Sequence, residues 1–105
     1  SESGTVLPNF GVDIRSDKGG AVAAAGDGVV SAIEWLPGYG TVVIITHKNG
    51  YRTVYGRLST IAFSEGALVK EGDTLGMVAN SIEGFVLHFE IWKDRQSADP
   101  EKRFR

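Results

Sequence analysis

The chain has 105 residues, near the commonest size of a single domain, and its 42% apolar and 23% charged residues are those of a folded globular protein, not a disordered one. Eleven basic against 13 acidic side chains leave a formal net charge of −2, with no basic excess to meet the phosphates of a nucleic acid. Cysteine is absent, which removes disulfides, thiolate zinc sites and cysteine nucleophiles, and no apolar run approaches the roughly 18 residues of a membrane-spanning helix.

The opening Ser1-Glu2-Ser3-Gly4 lacks the charged-then-apolar pattern of a signal peptide, and the chain is read as an excised fragment whose cellular address lies elsewhere. Fourteen glycines and three prolines punctuate short runs rich in Val, Ile, Thr, Tyr and Phe, the pattern of many strands joined by tight turns. Gly11-Val12-Asp13 falls at a strand edge. Gly28 to Trp35 is a strand, closed by the turn Leu36-Pro37-Gly38-Tyr39-Gly40. The β-branched run Thr41 to His47 follows, and Asn49-Gly50 predicts a two-residue hairpin turn before Tyr51 to Tyr55 returns antiparallel. His47, at the end of its strand, is expected to be exposed.

Gly66 to Val78 alternates apolar stretches with glycine turns, as small barrels and sandwiches do at sharp corners. It echoes biotinyl and lipoyl carrier domains, but Lys48 beside Asn49-Gly50 lacks the setting of a carrier lysine. The last strand is Phe85 to Trp92. Alternation places Leu87, Phe89 and Ile91 on a core face, and Val86, His88 and Glu90 on a face that lines a groove. Polar residues follow from Lys93, and Ala98-Asp99-Pro100 ends the ordered pattern. No interior linker or repeat divides the chain, which predicts one all-β domain over residues 1–105.

Three stretches resemble motifs of the lysostaphin/LytM-type zinc metallopeptidases, which cut peptide cross-links of bacterial cell walls. Asn9-Phe10-Gly11-Val12-Asp13 resembles the pattern His-x-Gly-x-Asp, with asparagine for histidine. Tyr55-Gly56-Arg57-Leu58 resembles Tyr-Ala-His-Leu, with arginine for histidine. Val86-Leu87-His88-Phe89-Glu90 resembles His-Leu-His-Phe-Glu, with valine for the first histidine. Ala23 to Val30 and Gly38 to Ile44 are also similar to family segments. The resemblance implies a compact antiparallel sheet, or barrel-sandwich, of the LytM (duplicated hybrid motif) type.

By that resemblance Asn9, Asp13 and His88 occupy the three zinc-ligand positions, while Arg57 and Val86 occupy those of the histidines that orient water and stabilise the transition state. A carboxamide is a poor substitute for imidazole on zinc, and valine neither donates nor accepts a proton. Acid–base groups contribute about 10²–10⁴-fold each, and hydroxide near neutral pH requires a bound metal. The resemblance therefore implies a pseudo-peptidase with no zinc or other cofactor. Read as plain structure, Asp13 is a turn or capping carboxylate, His88 a hydrogen-bonded wall residue, and Arg57 a solvated charge; in a former active-site groove Arg57 instead meets a carboxylate bidentately. Glu90 either orients His88 or meets solvent.

Trp35 to Gly40, Tyr55-Gly56 and Phe89 to Trp92 look most like the degenerate domains of EnvC-type murein hydrolase activators. That likeness implies a non-catalytic domain of the periplasm or cell envelope that activates cell-wall amidases in cell separation. The groove is Asn9, Asp13, Arg57, Val86, His88 and Glu90, the partner is an amidase, and peptidoglycan is a second ligand. Two other readings stand beside it: a divergent zinc endopeptidase using Asn9, Asp13 and His88, and a passive peptidoglycan-binding module.

Overall fold

The structure, a computed structural model, describes residues 6–16 and 19–94, with side chains from residue 11 to residue 93 of those. Nine strands appear among them: β1 (Val6–Ser16), β2 (Ala21–Ala23), β3 (Gly28–Leu36), β4 (Gly40–Thr46), β5 (Tyr51–Ile61), β6 (Leu68–Val69), β7 (Thr74–Val78), β8 (Asn80–Ser81) and β9 (Gly84–Asp94). The main sheet runs β1-β9-β5-β4-β3-β6, and every pairing is antiparallel. β7 pairs with both β5 and β2, so β5 serves two groups of strands. The expected all-β fold is the one observed.

Alternation assigns the two faces of the sheet. Val43 and Ile45 on β4 and Tyr55 on β5 belong to the core with Val22, Val30, Leu58, Val69, Leu75 and Val78, and Leu87 and Phe89 pack against it. Across the register Ile44 stands beside Val54, Val54 beside Glu90, and Gly56 beside His88, which puts His88 and Glu90 on the opposite face. The facing expected for the last strand is therefore correct, although Leu87, Phe89 and Ile91 are half-buried and not enclosed.

Pairing is broken by bulges at two of the motif positions. Pro8 opposes Trp92 and Phe10 opposes Ile91, so Asn9 is an extra residue on β1. Thr41 opposes Leu58 and Val43 opposes Tyr55, so Val42 faces both Gly56 and Arg57. A bulge re-aims side chains and bends its strand. Here the bend in β5 falls between the half that pairs with β9 and the half that pairs with β7.

The hairpin after β4 differs from expectation. Its loop has three residues, Lys48–Gly50 in a 3-10 turn, closed by the Tyr51 carbonyl accepting from the His47 N–H at 2.8 Å. Asn49 and Gly50 both take positive φ, 70° and 77°, as Asn-Gly favours, but the turn holds one residue more than a two-residue hairpin.

His47 also differs. Its two ring nitrogens lie 2.7 Å from the Asp27 carbonyl oxygen and 2.7 Å from Thr53 Oγ1. Thr53 is buried and bonds Tyr55 Oη at 2.7 Å, and Tyr55 Oη accepts from the Ala25 N–H at 3.0 Å. His47 is thus half-buried at the end of an internal polar chain, because the buried Thr53 hydroxyl needs a second partner and this ring supplies it. The end of the ordered pattern expected at Ala98 to Pro100 lies outside the described residues.

Candidate functional site

β1 and β9 run side by side with Asp13 directly opposite His88. His88 Nδ1 lies 2.8 Å from Asp13 Oδ1, and Nε2 lies 2.6 Å from Glu90 Oε2. Trp92 Nε1 donates to the other Glu90 oxygen at 2.5 Å. Because His88, Glu90 and Trp92 alternate along one strand, they share a face and form a row that Asp13 completes from β1. Glu90 orients the imidazole; it does not merely meet solvent.

An ionised carboxylate only accepts hydrogen bonds, so satisfying both contacts requires a hydrogen on each ring nitrogen. That is the imidazolium form. Desolvation opposes this charge, but the hydrogen bonds to Glu90 and Asp13 and the charges of both carboxylates outweigh it, and the His88 pKa is raised above its usual 6.5. The Asp13 carboxyl is held below its usual 3.8, chiefly by its hydrogen bond to His88 against some desolvation, with the charges of His88, Arg57 and Arg15 adding to the effect. The His88 side chain is 17% exposed, Glu90 23% and Asp13 53%, so the clamp opens to solvent on the β1 side.

Arg57 sits at the β5 bulge with φ 71°, in the left-handed region that a non-glycine side chain rarely adopts. Its backbone is fixed from both sides: its N–H donates to the Tyr39 carbonyl at 2.6 Å, and its carbonyl accepts from the Ala79 N–H at 2.8 Å. The guanidinium lies 5.9 Å from the centre of the Tyr39 ring, and one Nη donates to the Gly38 carbonyl at 3.4 Å. Nε is buried with no hydrogen-bond partner among the described residues. Tyr39 also meets His88, with ring centroids 4.7 Å apart and planes tilted by 45°. One aromatic ring therefore meets both cationic side chains, contacts that the ring quadrupole favours.

The structure thus brings Asp13, Arg57, His88 and Glu90 together. Val86 is a correction: it shares the His88 face but is only 4% exposed, so it does not line an open groove. It is covered because it stands opposite Arg15 on β1 and next to the β8–β9 hairpin, where Asn80 pairs with Phe85. Asn9 lies on the β1 bulge, and its side chain is outside those described. Sequence reasoning missed Tyr39 and Trp92 as members of the site. The signal for Trp92 was its place on the alternating row after His88 and Glu90; nothing in the local pattern of the turn points Tyr39 at His88.

The description "Peptidase family M23" matches residues 8–100. The chain belongs to peptidase family M23. It is 36% identical over 108 residues to a "Lipoprotein NlpD/LppB homolog" of Pseudomonas aeruginosa, covering 93% of this chain and 36% of that protein. It is 34% identical over 93 residues to the "Murein hydrolase activator EnvC" of Escherichia coli, covering 87% and 22%. At 35% identity over 92 residues it also resembles a "DD-carboxypeptidase/endopeptidase Mpg" of Neisseria meningitidis, covering 86% and 21%. Among solved structures, a zinc-containing peptidase from Vibrio cholerae superposes with a TM-score of 0.70 at 32% identity, covering 82% of this chain and 27% of that one. The M23 chain spans roughly a fifth to a third of the length of these curated relatives.

Proposed function

We propose that this M23 domain cuts nothing itself and that it activates cell-wall amidases by docking them on the face that carries Asp13, Arg57, His88 and Glu90. The observation that carries this reading is the state of His88. Both of its ring nitrogens are committed to carboxylates, so it offers no lone pair to a metal. The site is charged and shaped but chemically closed.

The same geometry supports a domain that works without zinc. A catalytic zinc site needs about three protein ligands and one open position for water. Asp13 already accepts from His88, and among the described residues no group of three or more His, Asp, Glu or Cys side chains is arranged to hold a metal ion. The described residues do not by themselves fit the ion, which supports the reading without zinc, and no catalytic step is routed through it.

Docking is supported by what surrounds the clamp. The β3–β4 hairpin ends in Trp35, Leu36 and Tyr39, which are 68%, 40% and 41% exposed, and Tyr39 leads directly to His88 and Arg57. Aromatic residues and arginine are the types most enriched where protein interfaces carry binding energy. Relatives named as murein hydrolase activators and as lipoproteins support a role in the envelope, at peptidoglycan. Arg57 would pair with a carboxylate of the amidase.

The Neisseria endopeptidase relative favours a second reading, a divergent peptidoglycan endopeptidase. Purified murein separates the two. The domain alone, with zinc supplied, is expected to release nothing, and its addition to cell-wall amidases is expected to raise their product release above that of the amidases alone. Release of cross-link peptides by the domain alone overturns the activator reading. Retention of murein without stimulation of any amidase of its own organism would make the domain a passive wall-binding module.

A further inference from the structure

The sheet ends on one side with β1, which among the described residues pairs with β9 alone. An edge strand of 11 residues offers its outer N–H and C=O groups to another strand. Its sequence also carries its own complement. Asp13 and Arg15 flank Ile14, and all three are exposed, Ile14 by 47%. We propose that β1 pairs antiparallel with β1 of a second copy of this chain, about a two-fold axis at Ile14.

In that register Asp13 of each copy stands opposite Arg15 of the other, Val12 stands opposite Ser16, and Ile14 meets Ile14. A two-fold contact uses the same patch twice, so each favourable pair counts twice. Opposite charges directly across an antiparallel pair stabilise it, and like charges destabilise it. Slipping the register by two residues in either direction sets Asp13 against Asp13 or Arg15 against Arg15. A one-residue slip sets the clamp face of one copy beside the core face of the other. The charge pattern therefore selects one register. Charges that merely guard an edge repel every copy when they share a sign; here the alternation of sign does the reverse. Arg15 is exposed at this edge, where one Nη donates to the Glu83 carbonyl at 3.3 Å.

The inference does not depend on the amidase reading. It has a consequence for the same site, because Asp13 and Arg15 lie on the His88 face. The second copy would bring its Arg15 beside Asp13, and both His88 clamps would face the same way on one continuous sheet.

Sedimentation of the chain across a concentration series tests this. The wild type is expected to show a monomer–dimer equilibrium, and Arg15→Asp or Asp13→Arg alone is expected to weaken it by about tenfold or more. An equal mixture of the two single variants restores association, because one edge is then all acidic and the other all basic; the double variant D13R/R15D dimerises like the wild type. Thermal melts establish that each variant folds. Should Asp13→Arg fail to fold, Arg15→Lys against Arg15→Glu keeps the test, with Lys retaining the dimer and Glu losing it. A wild type that stays monomeric at the highest concentration, a dimer indifferent to these charges, or an edge that takes up only a partner's strand overturns the proposal.

Discussion

The two histidines of this chain each use both ring nitrogens, and the two rings are built into the fold for different ends. His47 stands between a backbone carbonyl and a threonine hydroxyl. Every bond of its chain is satisfied with a neutral ring: Nδ1–H donates to Asp27, Nε2 accepts from Thr53, Thr53 accepts from Tyr55, and Tyr55 accepts from Ala25. His88 stands between two carboxylates, which can only accept, and is satisfied as the cation. The first ring closes an internal polar chain and belongs to stability. The second draws β1 to β9 at the surface, on the face proposed above for docking. What a histidine does here is decided by the donors and acceptors that face it, not by its residue type or its place on a strand end.

Separate roles predict separable effects. The largest on stability is expected at the buried chain: Thr53→Val keeps the shape but strands His47 Nε2 and the Tyr55 hydroxyl, at a cost of about 2–3 kcal/mol in denaturant melts. Amidase stimulation by the folded variant should be unchanged. A loss of stimulation with little loss of stability would join the two regions that this account keeps apart.

A smaller effect on stability, with a larger one on recognition, is expected at the clamp. His88→Gln removes charge-assisted bonds that are partly open to solvent, at a cost of about 1 kcal/mol, and is expected to abolish measurable binding of an amidase. Arg57→Gly separates strain from function still more sharply. Glycine accepts the left-handed backbone at the bulge without a side-chain penalty, so this variant should gain up to about 1 kcal/mol in stability while losing stimulation. Arg57→Ala loses stimulation without that gain. An Arg57→Gly protein that activates fully removes Arg57 from the docking surface.

The smallest expected effect is that of pH. The raised His88 pKa means that its contribution is fully present below about pH 6.5 and is lost as pH rises through the folded-state value. The lowered Asp13 pKa means that its contribution is present above about 3.8 and is lost as pH falls through its folded-state value. The stability difference between the wild type and His88→Gln, followed by thermal melts from pH 4 upward, should therefore shrink only above pH 6.5. A difference that is constant with pH would show that the ring does not change charge.

Much of this arrangement was legible in the sequence, and the rest was hidden for physical reasons. The period-2 pattern of Phe85 to Trp92 fixed which residues share the His88 face, and the order of the motif stretches fixed the family. Alternation cannot report long-range partners, so His47 looked exposed when Thr53 and Tyr55, buried on the neighbouring strand, needed it. It also cannot report cover, so Val86 looked open where the structure leaves it only 4% exposed. Bulges defeat alternation altogether. The left-handed Arg57 follows from an extra residue opposite Val42, which no propensity of arginine predicts.

The claim on which the account rests is that His88 is a charged clamp between Asp13 and Glu90 and not a ligand. Nitrogen-15 NMR of the imidazole ring just below pH 6.5, recorded before and after addition of zinc, tests it most directly. Both ring nitrogens of His88 are expected to carry hydrogen, with shifts that zinc leaves unchanged. A neutral ring that loses its remaining Asp13 or Glu90 contact and shifts on binding one zinc per chain would contradict the account and return the domain to the peptidases.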